Sequence, residues 1–256
     1  MSTLSTMTLV VEDGVAVVEF DADHTMNPFS QARMRELLAL VAKIEADDSA
    51  GAIVLYGGQG RSFAAGGDFK ETSQFDTDPA VDSWIDDITD LYTGLLRGAK
   101  PIVAAVDGYC IGLGMQIALC ADLRVGSETS TWVMPELKLG IACTFGGYML
   151  ETVVGRSVMQ AMVFGCDAWP APRALTDGLM HEMVPASQVR SVALKRASAL
   201  ASWTPAAVRS TRPQVNEQFV AGLEWCRDRG KNAHRQAFGA GDAQERMKQV
   251  LNRSKS

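Results

Sequence analysis

Two short apolar runs flank Glu-Asp-Gly in "TLVVEDGVAVVEF" (8–20), a pattern that predicts a β-hairpin. In "MNPFSQARMRELLALVAKIEADD" (26–48) a proline turn leads into Leu, Met, Val and Ile at helical spacing, with acids at the far end. "AGAIVLYGG" (50–58) is a compact apolar run closed by glycines, as expected of a buried strand. A variable acidic stretch covers 72–82. In "VDSWIDDITDLYTGLLRGAK" (81–100), Trp84, Ile88, Leu91 and Leu95 then fall on one helical stripe. "PIVAAVDGYCIGLGMQIALCADLRVGS" (101–127) predicts strand, glycine turn, helix, strand. This β-α-β rhythm predicts parallel strands covered by helices. Strand signal fades after about Gly155, and from Ser187 the pattern is largely helical, with breaks at "TPAA" and "GAGD".

Composition narrows the classes. A hydrophobic fraction of 47% over 256 residues supports a substantial core. Against 24 Lys and Arg stand 30 Asp and Glu, a formal charge of −6, which disfavours nucleic acid or anionic membrane as a general partner. The first residues have no basic segment feeding a long apolar run, and no apolar stretch reaches spanning length, so a cytoplasmic protein is expected. Five scattered cysteines without a CxxC pair read as free thiols. Three histidines and no HExxH predict no metal centre.

Two glycine loops carry candidate chemistry: "SFAAGGDFKE" (62–71) and "GYCIGLGMQIAL" (108–119). Each follows an apolar strand and enters a helix or turn, so backbone N–H groups can face a ligand there. The second lacks the third glycine of a dinucleotide fingerprint. If both loops aim one N–H at the same point they form an oxyanion hole, suited to acyl thioesters. Between them and the C-terminal half lies "TWVMPELKLGIACTFGG" (131–147), whose one carboxylate is Glu136. It is either a loop-edge acid beside Lys138 or a catalytic group in apolar surroundings. Asp68 and Asp107 read as loop and helix-cap residues, and Cys110 and Cys143 as small hydrophobes.

"SFAAGGDFKE", "KPIVAAVDGYCIGLGMQIAL", "ADLRVGS" and "MPELKLGI" together resemble the crotonase superfamily of enoyl-CoA hydratases and isomerases, over roughly residues 7 to 250. The resemblance implies an α/β crotonase fold, a repeated ββα spiral over 1–195 with a helical trimerisation region over 196–256, assembled as a homotrimer or hexamer. It places an acyl-CoA thioester carbonyl between the N–H groups of Gly67 and Leu113. CoA is then substrate, with no separate cofactor. Ala65, Arg61 and Lys70 are the candidates for holding it, although the two basic residues fit ordinary surface charge equally well. Hydratases of this superfamily use two glutamates. Glu136 matches one, and Gln116 stands at the other, where an amide cannot exchange protons near pH 7. Gln116 binds substrate, holds Glu136, or fills space.

"MNPFSQ", "WIDDITDLY", "WVMPELKLGI" and the late "AHRQAF" are further similar to the carboxymethylproline synthases, the branch of the superfamily in carbapenem pathways. This implies decarboxylation of malonyl-CoA to an enolate, attack on the C=N carbon of pyrroline-5-carboxylate, and thioester hydrolysis assisted by Glu136. Leu113 departs from the Met that this branch can carry. Ile111, Leu113 and Ile141 would form the apolar surroundings in which CO2 leaves. Trp84 is plain core or the wall on which the pyrroline ring packs. By the same resemblance His234 pairs with the pyrroline carboxylate or with a neighbouring helix, or is an exposed interface residue. The open alternatives are another malonyl-thioester decarboxylase, an isomerase or hydratase, and a non-catalytic binding member of the fold. The room beside Trp84 separates the synthase from the other enzymes: space for a five-membered ring favours the synthase, and a narrow slot favours a decarboxylase or isomerase.

Overall fold

The computed structural model describes residues 6–20 and 24–253. The hairpin forms as expected: β1 (Met7–Glu12) pairs antiparallel with β2 (Val15–Phe20), turning through Asp13 and Gly14, both at positive φ. Helix α1 (Gln31–Glu45) follows, capped by the Ser30 hydroxyl, which accepts from the Arg33 N–H. The next two passes each lay down one long and one short strand before a helix. They run β3 (Ala52–Tyr56), β4 (Ala64–Ala65), α2 (Phe69–Thr72) and α3 (Asp78–Arg97), then β5 (Ile102–Val106), β6 (Tyr109–Ile111) and α4 (Leu113–Leu119). A third pass has β7 (Leu123–Ser127), β8 (Thr131–Val133), a 3-10 turn at Glu136–Leu139 and α5 (Thr144–Val154). The chain continues through α6 (Arg156–Gly165), β9 (Trp169–Pro170), α7 (Ala171–Thr176) and β10 (Glu182–Val184). It ends in α8 (Val189–Ala201), α9 (Pro205–Gly239) and α10 (Asp242–Arg253).

Long strands build one sheet, β1-β2-β3-β5-β7-β10, parallel except at the hairpin. Short strands build a second, β4-β6-β8-β9. This is the ββα spiral, each turn contributing one strand to each sheet. Alternation along the long strands sorts their side chains onto two faces. Ala16, Val18, Ile53, Leu55 and Ala104 enter the main core with α1 and α3. Val17, Val54, Val103 and Ala105 meet Val189, Ala193 and Ala197 of α8. The division expected between 195 and 196 therefore falls inside a helix that covers the sheet, and the first break in helix after it is at 202–204.

The breaks at "TPAA" and "GAGD" separate α8 from α9 and α9 from α10. The acidic stretch 72–82 is less solvated than its composition suggests. Thr72, Ser73 and Phe75 are buried, and α3 begins within it at Asp78. Phe75 stacks edge-on to Trp84 at 5.9 Å and meets Phe238 of α9 at 5.8 Å.

Candidate active site

Strand pairing is what brings the two glycine loops together. β4 and β6 are parallel, with Ala64 opposite Cys110 and Ala65 opposite Ile111, so the residues that follow, Gly66-Gly67 and Gly112-Leu113, emerge side by side. Helix α4 packs closely under this pair: a Cβ on Gly114 would sit 2.6 Å from Ala64 Cβ. Around Gly67, the Phe29 N–H donates to Gly66 O and the Asp68 N–H to Phe29 O, each at 2.9 Å. In extended backbone this turns the Gly67 N–H the opposite way. Leu113 is the first residue of α4, whose N–H has no partner within the helix. Gly112 reaches that position at φ +52, which a side chain would strain.

Pro135 and the 3-10 turn hold Glu136 against this second loop. Its backbone carbonyl accepts from the Ile141 N–H at 2.8 Å, and its carboxyl lies 3.0 Å from where a Cβ on Gly112 would be. Lys138 is not its partner. That ammonium binds Asp167 at 3.3 Å and the Cys166 carbonyl at 3.1 Å. Instead, Gln116 Nε2 donates to Glu136 Oε1 at 3.0 Å, and Tyr92 OH donates to Gln116 Oε1 at 2.7 Å. Gln116 thus holds Glu136, one of the roles its sequence left open. Burial pushes the Glu136 carboxyl up to about 7, against the opposing pull of its own backbone N–H and of the Gln116 amide. Glu136 Oε2 is buried without a partner, as is Trp84 Nε1.

A cavity of about 70 Å³ connects these groups. Gly67, Ala65, Trp84, Ile111, Leu113, Gln116, Glu136, Ile141 and His234 all line it. Among the described residues that line it, Glu136 is the sole carboxylate, and none is Lys or Arg. Arg61 and Lys70 lie outside. Arg61 Nη2 donates to the His24 carbonyl at 3.3 Å, and Lys70 is exposed. Trp84 is 6% exposed, packed among Phe75, His234 and Phe238, and also lines the cavity.

His234 is not an exposed interface residue. It is 4% exposed, edge-on to Trp84 at 5.4 Å, with Nδ1 2.7 Å from the Gly230 carbonyl. Burial lowers its pKa despite the two backbone carbonyls that favour its cation, so the ring brings no charge to the cavity and its single N–H is taken up by backbone. Asp68 and Asp107 are structural, accepting from the N–H groups of Lys70 and Gly108 at 2.8 Å each. Burial raises the thiols of Cys110 and Cys143, which argues against either as a nucleophile.

Sequence reasoning missed Tyr92, Met247 and Phe145. Tyr92 had a signal: a phenol inside an apolar helical stripe needs a partner for its hydroxyl. Met247, on α10, reaches the cavity from far along the chain, and no spacing could announce that.

Comparison with known proteins agrees with this architecture. The family model for enoyl-CoA hydratase/isomerase matches residues 11–255. A carboxymethylproline synthase from Pectobacterium carotovorum subsp. carotovorum is 41% identical over 239 residues, 93% of this chain and 96% of that one. The solved structure of ThnE from S. clavuligerus is 49% identical, with a TM-score of 0.79 over 89% of this chain and 99% of that one. An enoyl-CoA hydratase/isomerase from Mycobacterium paratuberculosis, 21% identical, shares the fold with a TM-score of 0.87 over 97% of this chain and all of that one.

Proposed function

The chain belongs to the enoyl-CoA hydratase/isomerase family, and on that premise we propose that it acts as a carboxymethylproline synthase. The observation that carries this reading is the pairing of one carboxylate with one amide, Glu136 with Gln116, where alkene hydration by this family needs two acids. The 41% identity to a protein of that activity supports it.

In this reading the malonyl-CoA thioester oxygen lies between the Gly67 and Leu113 N–H groups. The bond to the carboxylate breaks, CO2 leaves among Ile111, Leu113 and Ile141, and the electron pair becomes the enolate that the two N–H groups stabilise. Each such donor contributes about 3 kcal/mol in comparable oxyanion holes. No general base is required for that step. The enolate carbon then attacks the C=N carbon of N-protonated pyrroline-5-carboxylate packed on Trp84; the C=N electron pair moves to the ring nitrogen, which keeps its proton as a neutral amine. The ring's own carboxylate meets a neutral donor, the unpartnered Trp84 Nε1, since no cation lines the cavity. Finally Glu136 takes a proton from water, hydroxide adds to the thioester carbonyl, and CoA leaves as the thiol. A carboxyl with pKa about 7 suits this: it is substantially ionised at neutral pH and basic enough to accept a proton.

Ala65 lies at the cavity wall, and Arg61 and Lys70 lie toward the outside, in reach of the distal phosphates of CoA in this reading. In this reading α9 and α10, within the region expected over 196–256, close the pocket and support trimer formation. His234 and Met247 supply part of the cavity wall, and α9 leaves Val215 and Trp225 more than half exposed.

Cavity size favours a second reading. About 70 Å³ is near half of the roughly 150 Å³ that takes a benzene ring. That suits one small group beside Trp84, and ring plus acyl group together require side chains to give way. A malonyl-thioester decarboxylase needs no such movement. Incubation with malonyl-CoA, with and without pyrroline-5-carboxylate, separates the two: carboxymethylproline and free CoA support the synthase, and acetyl-CoA in both mixtures supports the decarboxylase.

A further inference from the structure

We propose that Tyr92, which does not line the cavity, is a positioning residue for thioester hydrolysis: its hydroxyl fixes the Gln116 amide so that the NH2 end holds Glu136 Oε1 and leaves Oε2 facing the substrate's water. The proposal rests on the synthase reading for its substrate, while its geometry stands independently.

Hydrogen-bond polarity carries the argument. An ionised carboxylate only accepts, so the amide must present Nε2 to Glu136, and Oε1 then points the other way. At that end stands Tyr92 OH, 2.7 Å away, in a fully buried side chain. Burial holds the phenol well above its ordinary pKa, so it remains a donor throughout the working range. Were the amide flipped, its oxygen would face the carboxylate and its NH2 would compete with the phenol proton. Tyr92 therefore selects one of two orientations that the amide's shape alone does not distinguish.

The surroundings leave the amide little room to escape. Nε2 also lies 3.5 Å from Met134 Sδ, and Gly146 supplies the space on its flank. A Cβ on Gly146 would come within 2.8 Å of both Met134 Sδ and Cys143 Sγ and 3.2 Å from Gln116 Nε2. The groups facing Glu136 are Gln116 from α4, Tyr92 at one remove on α3, Cys143 before α5, and the Gly112 loop. Among the described residues, no cation contacts its carboxyl; the Gln116 amide is its side-chain hydrogen-bond donor. Loss of that orientation removes support from the ionised form, so the carboxyl becomes harder to ionise.

The test is Tyr92→Phe, which keeps the ring and its edge-on contact with Phe145 at 6.1 Å. Product-thioester hydrolysis is expected to fall about tenfold at pH 7 and its acidic limb to move up by roughly half a unit or more, with KM for malonyl-CoA within about twofold of wild type. In a Gln116→Met background the same substitution is expected to change nothing further, because the path through the amide is already cut. An unmoved pH limb, or an equal effect in both backgrounds, overturns the proposal. If wild type forms no carboxymethylproline, the synthase reading fails by itself. The relay is then read without substrate, from the ionisation of Glu136 by carboxyl infrared difference spectra in wild type and Tyr92→Phe. An upward shift supports Tyr92, and superimposed titrations reject it. Should Tyr92→Phe not fold, the spectra of Gly146→Ala answer the same question, since its methyl displaces the amide from the other side.

Discussion

A single side chain concentrates the chemistry. Glu136 sits where burial disfavours its charge, and the same environment that makes it a useful base makes it a burden on the fold. An ordinary glutamate ionises near 4.5 and this one near 7, so the folded state binds more protons than the unfolded one between those values. Stability therefore falls as pH rises through that window, by up to roughly 3 kcal/mol, and stays reduced above it. Glu136→Gln removes the titration. The variant is expected to gain in melting temperature relative to wild type on going from pH 5 to pH 8. Parallel melting curves at the two pH values would mean that Glu136 is not held near neutrality. The neighbouring residues show what could be read from the chain. Glu136, Gln116, Gly67 and Leu113 were legible through the motifs that resemble the crotonase superfamily; local pattern alone marked only the glycine loops and a lone acid. For Tyr92 only the need of a buried phenol for a partner was legible; that the partner is Gln116 comes from tertiary structure that neither segment records.

At the scale of elements, the site depends on strands of only two and three residues. β4 and β6 place the glycine loops in register, and α4 can lie under them only because position 114 has no side chain. Gly114→Ala drives a methyl into Ala64, with an expected stability cost of about 1–3 kcal/mol. By parting the loops it is also expected to lower malonyl-CoA decarboxylation about a hundredfold, the order lost when one oxyanion donor is removed. Decarboxylation at the wild-type rate in folded Gly114→Ala would show that the two N–H groups do not act together. Long elements were plain in the hydrophobic pattern: the hairpin, α1, β3, α3 and the breaks around α9 all lie where periodicity puts them. β4, β6, β8, β9 and β10 escaped it. Two or three residues hold no period, and their strand character comes from partners far away in sequence. Phe75 was hidden for a related reason: an aromatic in an acidic stretch reads as solvated until Trp84 and Phe238 close over it.

The whole molecule joins a two-sheet spiral to a helical tail that completes the cavity. His234 and Met247 come from α9 and α10, so the tail lines the cavity together with the spiral. Sedimentation velocity is expected to give three times the chain's 27.5 kDa or a dimer of that trimer, and a stable monomer would contradict the assembly proposed for residues 196–256. The fold class followed from the β-α-β rhythm and the motifs. The modest cavity did not, since volume depends on how Trp84, Phe145 and Met247 meet. The most direct test of the central claim is mass spectrometry of wild type and Glu136→Gln, each incubated with malonyl-CoA and pyrroline-5-carboxylate. Wild type is expected to yield carboxymethylproline and free CoA, and the variant to accumulate carboxymethylprolyl-CoA because carbon–carbon bond formation needs no base. Free carboxymethylproline released equally fast by both proteins, or malonyl-CoA left intact by wild type, would contradict that claim.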